Sequence, residues 1–163
     1  MTDYDRLIGN FCTLTGLRDA TAVAGGAPIE VDGVTCSITN RNASANGLVL
    51  YVEFGAVPSG REAAIYQELL SQNYLGAPEA GVMFAYSSIT RRVICVQHLR
   101  ASEVDAQRLI DVLQYMAGKA LEWQRSYFLK PSQGERPPAA LRASGGAHAL
   151  LASGRAAGRT PAN

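Results

Sequence analysis

Two hydrophobic periods divide the first 129 residues into helical and extended segments. Over residues 2–15 the apolar side chains recur every three or four positions, which predicts an amphipathic helix. Thr2 and Asp5 have the spacing of a capping box at its start, and Gly16 can end it in the left-handed conformation. The first element is therefore expected to be a helix of about four turns.

Alternation of apolar and polar residues predicts five strands. The first two flank Asp32-Gly33, a dipeptide typical of tight hairpin turns, and Asn46-Gly47 marks a second turn before the third strand. The last two are separated by residues 87–92, a usual length for a hairpin loop. The strand segments are Ile29–Val31, Val34–Ile38, Leu48–Phe54, Val82–Tyr86 and Val93–Leu99.

Two more helices follow from apolar stripes at helical spacing. The stripe over Ala63–Tyr74 is preceded by Ser59 and Glu62, which have the spacing of a capping box. A longer stripe predicts a helix that is capped by Ser102, with Asp105 at its third position. The order is thus α-β-β-β-α-β-β-α, an α+β layout in which helices cover a twisted antiparallel sheet.

The composition changes after residue 130. Residues 131–163 are rich in Ala, Gly, Ser, Pro and Arg without an apolar period, which is typical of a disordered tail. Up to Leu129 the chain has 10 Lys or Arg against 13 Asp or Glu, whereas the remainder has 5 against 1. We therefore expect an acidic domain over residues 1–130 and a basic tail. An acidic domain does not attract the phosphates of nucleic acid.

A chain that ends at Pro131 should melt within a few degrees of the full-length protein. The tail lacks the apolar residues that would offset the ~1–2 kcal/mol needed to order each backbone residue. Calorimetric melting of both chains tests this expectation. A large fall in the melting temperature of the shorter chain would show instead that the tail contacts the domain.

The side chains that usually carry catalysis do not form a recognisable set. Neither His98 nor His148 has a second ligand or a triad partner at a suggestive spacing. The three cysteines lie among apolar residues without a Cys-x-x-Cys spacing, so neither a zinc site nor a disulfide framework is expected. Glu103 and Asp105 fit the first turn of a helix, where acids favour the positive end of the dipole. No cofactor, metal or enzymatic activity is therefore expected.

The chain carries no sign of a membrane span or an export signal. No apolar run approaches the ~20 residues needed to cross a bilayer. The first residues are acidic, whereas a signal peptide would begin with basic ones. A cytoplasmic location without membrane insertion is expected.

Several short phrases of the sequence together resemble one known family. They are YDRLI at residues 4–8, LYVEFG at 50–55, YQELL at 66–70 and NYLG at 73–76, followed by weaker likeness at 93–99 and 120–128. These phrases are similar to those of class I type III secretion chaperones, the Tir chaperone or CesT-like family. The likeness covers about residues 3–129. The loop at 87–92 differs, because it lacks the Gly-containing acidic turn that is usual in the family.

The resemblance implies a bacterial, dimeric protein that binds a client without turnover. The expected client is the N-terminal chaperone-binding segment of a secreted effector, held in extended form so that it stays soluble and export-competent. Components of the secretion apparatus are a further class of partner that the resemblance leaves open. The alternative is a dimeric ligand-binding or regulatory module with the same fold. An enzyme would need polar groups that the sequence does not display.

The apolar stripe of the second predicted helix is the expected dimer interface. It consists of Ile65, Tyr66, Leu69 and Leu70, and the resemblance implies that this helix and the following strand build the two-fold contact. The alternative for these side chains is an ordinary place in the core.

The first predicted strand is the expected client-binding edge. The Gly/Ala stretch before Pro28 offers no partner strand, so residues 29–31 would present unpaired backbone groups to an extended client. The patch that receives client side chains is assigned to Leu7, Phe11, Ile29 and Val31. Leu7 and Phe11 are equally compatible with the core of the domain.

Overall fold

The computed structural model describes residues 2–40, 47–75 and 81–129. Its helices are α1 (Asp3–Thr15), α2 (Ala20–Ala24), α3 (Glu62–Leu75) and α4 (Ala106–Ser126), the last preceded by a 3-10 turn at Ala101–Glu103. Its strands are β1 (Ile29–Val31), β2 (Val34–Thr39), β3 (Gly47–Gly55), β4 (Val82–Ser87) and β5 (Arg92–Arg100). The α+β class is confirmed. The short helix α2 is an additional element that the sequence pattern did not predict, and Asn46 and the proposed tail lie outside the described residues.

The five strands form one antiparallel sheet in the order β1-β2-β3-β5-β4. The first hairpin turns at Asp32-Gly33, whose φ angles of 51° and 80° suit a type I′ turn. β3 lies in the middle, where it pairs with β2 on one side and with β5 on the other. This order leaves β1 and β4 at the two edges of the sheet.

The hydrophobic core lies between the sheet and the helices α1 and α4. α4 contacts β1, β2 and β3, and α1 contacts both α4 and α2. Alternation along the strands explains the core, because every second side chain of β2 is buried. The largest fully buried side chains include Ile8, Ile38, Leu50, Phe54, Ile65, Leu109, Leu113 and Trp123.

The predicted capping residues of two helices are wrong. α4 is capped by Asp105, whose carboxylate accepts a hydrogen bond of 2.7 Å from the backbone N–H three residues on. Ser102 cannot be the cap because it lies in the 3-10 turn that precedes the helix. α3 begins at Glu62, so Ser59 lies ahead of the helix, and the Glu62 carboxylate instead accepts a bond of 2.7 Å from the N–H of Gly60.

Side-chain hydrogen bonds hold both the start of α1 and its contact with α2. The predicted capping box is present: Thr2 Oγ1 accepts from the Asp5 N–H at 3.1 Å, and the Asp5 carboxylate accepts from the Thr2 N–H at 2.9 Å. The Tyr4 hydroxyl donates to the carbonyl of Ala24 at 2.8 Å. Burial raises the pKa of Tyr4 to about 12.

The free energy of unfolding should fall as the pH rises from about 9 to about 12. Burial raises the pKa of Tyr4, Cys36 and Cys95 to about 12 in each case. A raised pKa means that the folded state holds the proton more tightly than the unfolded state does. The resulting contribution to stability is complete at a pH below the pKa that the group has in the unfolded chain. It is lost as the pH rises through the pKa that the group has in the folded protein. At ~1.4 kcal/mol for each pKa unit, and with the part-buried hydroxyl screened by solvent, Tyr4 contributes on the order of 1–2 kcal/mol.

Urea unfolding at several pH values across this range measures the effect. Tyr4→Phe removes one of the groups whose pKa is raised by burial, so the stability of that variant should decline less steeply with pH than that of the wild type. Equal slopes for the two proteins would show that the pKa of Tyr4 is the same in the folded and unfolded states.

Candidate interaction surfaces

The structure places β1 at an open edge of the sheet. Its three residues pair with β2 from Ile29↔Cys36 to Val31↔Val34. Further along the same side of β2, Gly25 forms a single bridge with Thr39. Within the described ranges no strand pairs with the outer side of β1. Another extended chain could therefore bond to its outward backbone groups.

The four residues assigned to the client patch differ in burial. Leu7 and Phe11 are only 5% and 2% exposed, and Ile29 is 9% exposed, whereas Val31 is half-buried. Leu7 and Phe11 thus lie in the core of the domain, the alternative that the sequence left open. The two β1 side chains lie at the margin of that core. Client contact at these four residues stays a prediction.

The stripe on α3 divides into an inner and an outer half. Ile65 and Leu69 are 0% and 5% exposed and belong to the core, whereas Leu70 is 67% exposed. Tyr66 is half-buried, and its ring stands edge-on to that of Tyr86 in β4, with 5.7 Å between the centroids. Only Tyr66 and Leu70 among the four predicted interface residues therefore present surface to another molecule.

Further exposed apolar side chains extend the outer half of this stripe. Tyr74 and Leu75, at the C-terminal end of α3, are 84% and 81% exposed. Together with Tyr66 and Leu70 they form what we call the outer face of α3. An exposed face of this kind is usual at protein interfaces and rare on the surface of a monomer. A role of the outer face in dimerisation stays a prediction.

β4 forms the second edge of the sheet, and a side chain of α3 contacts it. The amide nitrogen of Asn73 donates to the carbonyl of Phe84 at 3.0 Å, and its oxygen accepts from the N–H of Phe84 at 2.7 Å. The sequence analysis missed this contact. Asn73 and Phe84 lie on different elements, so no local pattern links them.

A groove of about 960 Å³ lies between α4 and the β4–β5 half of the sheet. Its floor is aromatic, and the ring centroid of Phe54 lies 5.2 Å from that of Phe84 and 6.4 Å from that of Phe128. The walls combine apolar side chains with charged ones from α4: Val82, Cys95, Val112, Met116, Arg108, Asp111, Lys119 and Glu122. The sequence analysis did not identify this groove because its walls come from distant segments.

The described residues hold no group of three His, Cys, Asp or Glu side chains that could bind a metal ion. Burial raises the pKa of Cys36 and of Cys95 to about 12, so both thiols stay protonated and unreactive near neutral pH. No helix in the described part of the chain is both long and apolar enough to cross a membrane.

An open strand edge, an exposed apolar helix face and a large groove with an aromatic floor are features of a protein that binds other polypeptides. A model of the Tir chaperone protein (CesT) family matches residues 6–124. The chain belongs to this family, which confirms the resemblance noted in the sequence.

Solved structures support the same fold. The Yersinia pestis type III secretion chaperone SycH, in complex with a stable fragment of YscM2, has a TM-score of 0.58 and 20% identity, covering 73% of this chain and 98% of that chain. The ExsC–ExsE complex has a TM-score of 0.60 and 20% identity, covering 74% and 90%. The HopA1–SchA chaperone–effector complex has a TM-score of 0.52 and 14% identity, covering 77% and 92%. Comparison with curated protein sequences found no match.

Proposed function

We propose that this protein is a type III secretion chaperone. It binds the N-terminal chaperone-binding segment of a secreted effector in extended form and keeps that segment soluble and export-competent. The match of residues 6–124 to the Tir chaperone family carries the proposal. Two similar structures add support, because SycH was solved with a fragment of YscM2 and SchA with the effector HopA1.

The open edge of β1 supports binding of an extended chain. A client strand that pairs there gains main-chain hydrogen bonds, and its alternate side chains reach the margin of the core beside Ile29 and Val31. Leu7 and Phe11 are buried in the core and contribute little exposed area of their own. The proposed client patch is therefore centred on β1.

The protein acts by binding alone and works in the bacterial cytoplasm. Membership of a chaperone family supports binding without turnover. No described helix could span a bilayer, which agrees with a cytoplasmic site of action. Components of the secretion apparatus remain a second class of partner in this proposal.

The working form is a homodimer that buries the outer face of α3. Tyr66, Leu70 and Tyr74 recur every four residues and form one strip along the helix, with Leu75 at its C-terminal end, and a two-fold axis brings two identical strips together. A stable contact of this type buries roughly 1,200–2,000 Å² in total. The inner residues Ile65 and Leu69 hold the helix in place but do not contact the second subunit.

Recovery of the native partner tests the function directly. The tagged protein is purified from its host, and the co-purified polypeptides are identified by mass spectrometry. We expect a larger secreted protein whose N-terminal segment alone binds the dimer. If no polypeptide is enriched over a tagged control protein of the same size, the chaperone function is wrong.

The groove beside α4 favours a second candidate, a dimeric ligand-binding or regulatory module. Its volume of about 960 Å³ is at the upper end of the range of small-molecule sites. Mass spectrometry of metabolites released from the purified protein separates the two functions. A stoichiometric small molecule without a bound polypeptide would favour the module.

A further inference from the structure

The buried and the exposed apolar side chains of α3 lie in neighbouring rows. Ile65 and Leu69 form the inner row and belong to the core. Each is followed directly by a residue of the outer face, Tyr66 and Leu70, and successive residues of a helix lie about 100° apart around its axis. Any rotation of α3 about its axis would therefore turn the outer face by the same angle.

Asn73 continues the inner row by one more turn, at the point where α3 meets β4. It follows Leu69 at the helical spacing of four residues. Its side chain donates to the carbonyl of Phe84 at 3.0 Å and accepts from the N–H of the same residue at 2.7 Å. Hydrogen bonds weaken steeply away from their preferred distance and angle. Two such bonds to one backbone residue therefore fix both the rotation of the helix and its position along the strand.

The apolar contacts of α3 do not provide this precision. α3 packs chiefly against β4, and the stabilisation from burying Ile65 and Leu69 has no preferred direction. The ring of Tyr66 stands edge-on to that of Tyr86, but Tyr66 is itself part of the outer face. The directional contact at the C-terminal half of α3, where most of the outer face lies, is thus the one that Asn73 makes.

We propose that Asn73 is a positioning residue for dimerisation: it fixes α3 on β4 and so holds the outer face of α3 in the orientation that a second copy of the chain binds. The inference rests on the proposed homodimer. Asn73 acts through Leu70 and Tyr74, while its own amide stays bonded within the subunit. A surface that is ordered before association loses less conformational freedom when it binds.

Asn73→Leu tests this role, because leucine has the same branched shape as asparagine but cannot form the two hydrogen bonds. Sedimentation velocity of the labelled full chain over a dilution series measures the dissociation constant of the dimer. Both subunits lose the contact, so we expect this constant to rise about tenfold to a hundredfold. Gln72→Leu is the matched control, since the Gln72 amide bonds to Glu68 of the same helix at 2.9 Å. It should not weaken the dimer.

A merely structural role of Asn73 would give a different result. Loss of a residue that only stabilises the fold would lower the melting temperature but leave the dissociation constant of the folded chains unchanged. Asn73→Gln provides the rescue, because it keeps the amide donor and acceptor on a longer side chain. Its dimer should dissociate less readily than that of Asn73→Leu.

The inference is wrong if folded Asn73→Leu dimerises as tightly as the wild type, or if Asn73→Gln is no tighter than Asn73→Leu. Should Asn73→Leu not fold, Asn73→Ala is measured in its place. If neither variant folds, Asn73 serves the fold alone and the inference falls. A wild-type chain that is monomeric at every concentration would refute the homodimer itself, whereas a wild-type dimer that tolerates the loss of the amide would refute only the role of Asn73.

Discussion

Leu70→Asp combined with Tyr74→Asp should convert the dimer into folded monomers. Both side chains are largely exposed in the single subunit, at 67% and 84%, so two carboxylates there stay in water and cost the fold little. In the dimer each substitution occurs twice, because the contact is two-fold. An unpaired carboxylate buried in an apolar interface costs several kcal/mol, and four of them exceed what a standard interface supplies.

Sedimentation velocity and circular dichroism together measure this result. The variant should sediment as a monomer while it keeps the helical signal of the wild type. Gln72→Asp is the matched control, since Gln72 is exposed on the same helix but lies about 160° around its axis from both substituted positions. That variant should remain dimeric.

A third substitution on α3 tests the division between its two faces. Leu69 is 5% exposed, so Leu69→Asp places a carboxylate in the core and should unfold the subunit. Loss of the helical signal in Leu69→Asp but not in the double variant would agree with the burial pattern. A double variant that still sediments as an unperturbed dimer would place the interface on another surface.

The sequence predicted most of the fold because its elements carry strong local signals. The Asp32-Gly33 turn and the alternation around it specify the first hairpin, and the spacing of apolar residues specifies three helices. α2 was missed because five residues, mostly alanine, are too few to show a period. The cap of α4 was misplaced because Ser102 and Asp105 are both good capping residues, and only the 3-10 turn decides between them.

The surfaces were less predictable, because an apolar stripe does not reveal which of its members face the core. On α3 the stripe was found, yet Ile65 and Leu69 face inward and Leu70 faces outward. On α1 the same ambiguity placed Leu7 and Phe11 in a patch, whereas both are buried. Which side chains of an apolar stripe are buried depends on the elements that pack against the helix, and a single sequence does not show those contacts.

Val31→Asp should abolish co-purification of the client while the dimer stays intact. Val31 is half-buried on β1 and pairs with Val34, so its side chain lies where an added strand would cover it. In the free protein the carboxylate can turn to water. Under a client strand the carboxylate would be buried without a partner, at a cost of several kcal/mol. Because each 1.4 kcal/mol changes the affinity about tenfold, we expect the variant to bind the client on the order of a hundredfold more weakly.

The variant is compared with the wild type and with Thr35→Asp, using the client identified from the native host. Thr35 is exposed on β2, one strand inward from the edge, and lies opposite Glu30. It therefore receives the same charge on the same hairpin without placing that charge on the edge strand. Thr35→Asp should retain the client, and both variants should keep the mass and circular dichroism of the wild-type dimer.

If Val31→Asp forms a folded dimer that still binds its client, the extended segment does not pair at β1. The groove between α4 and β4 then becomes the surface to test, because its aromatic floor offers the other large apolar contact in the described part of the chain.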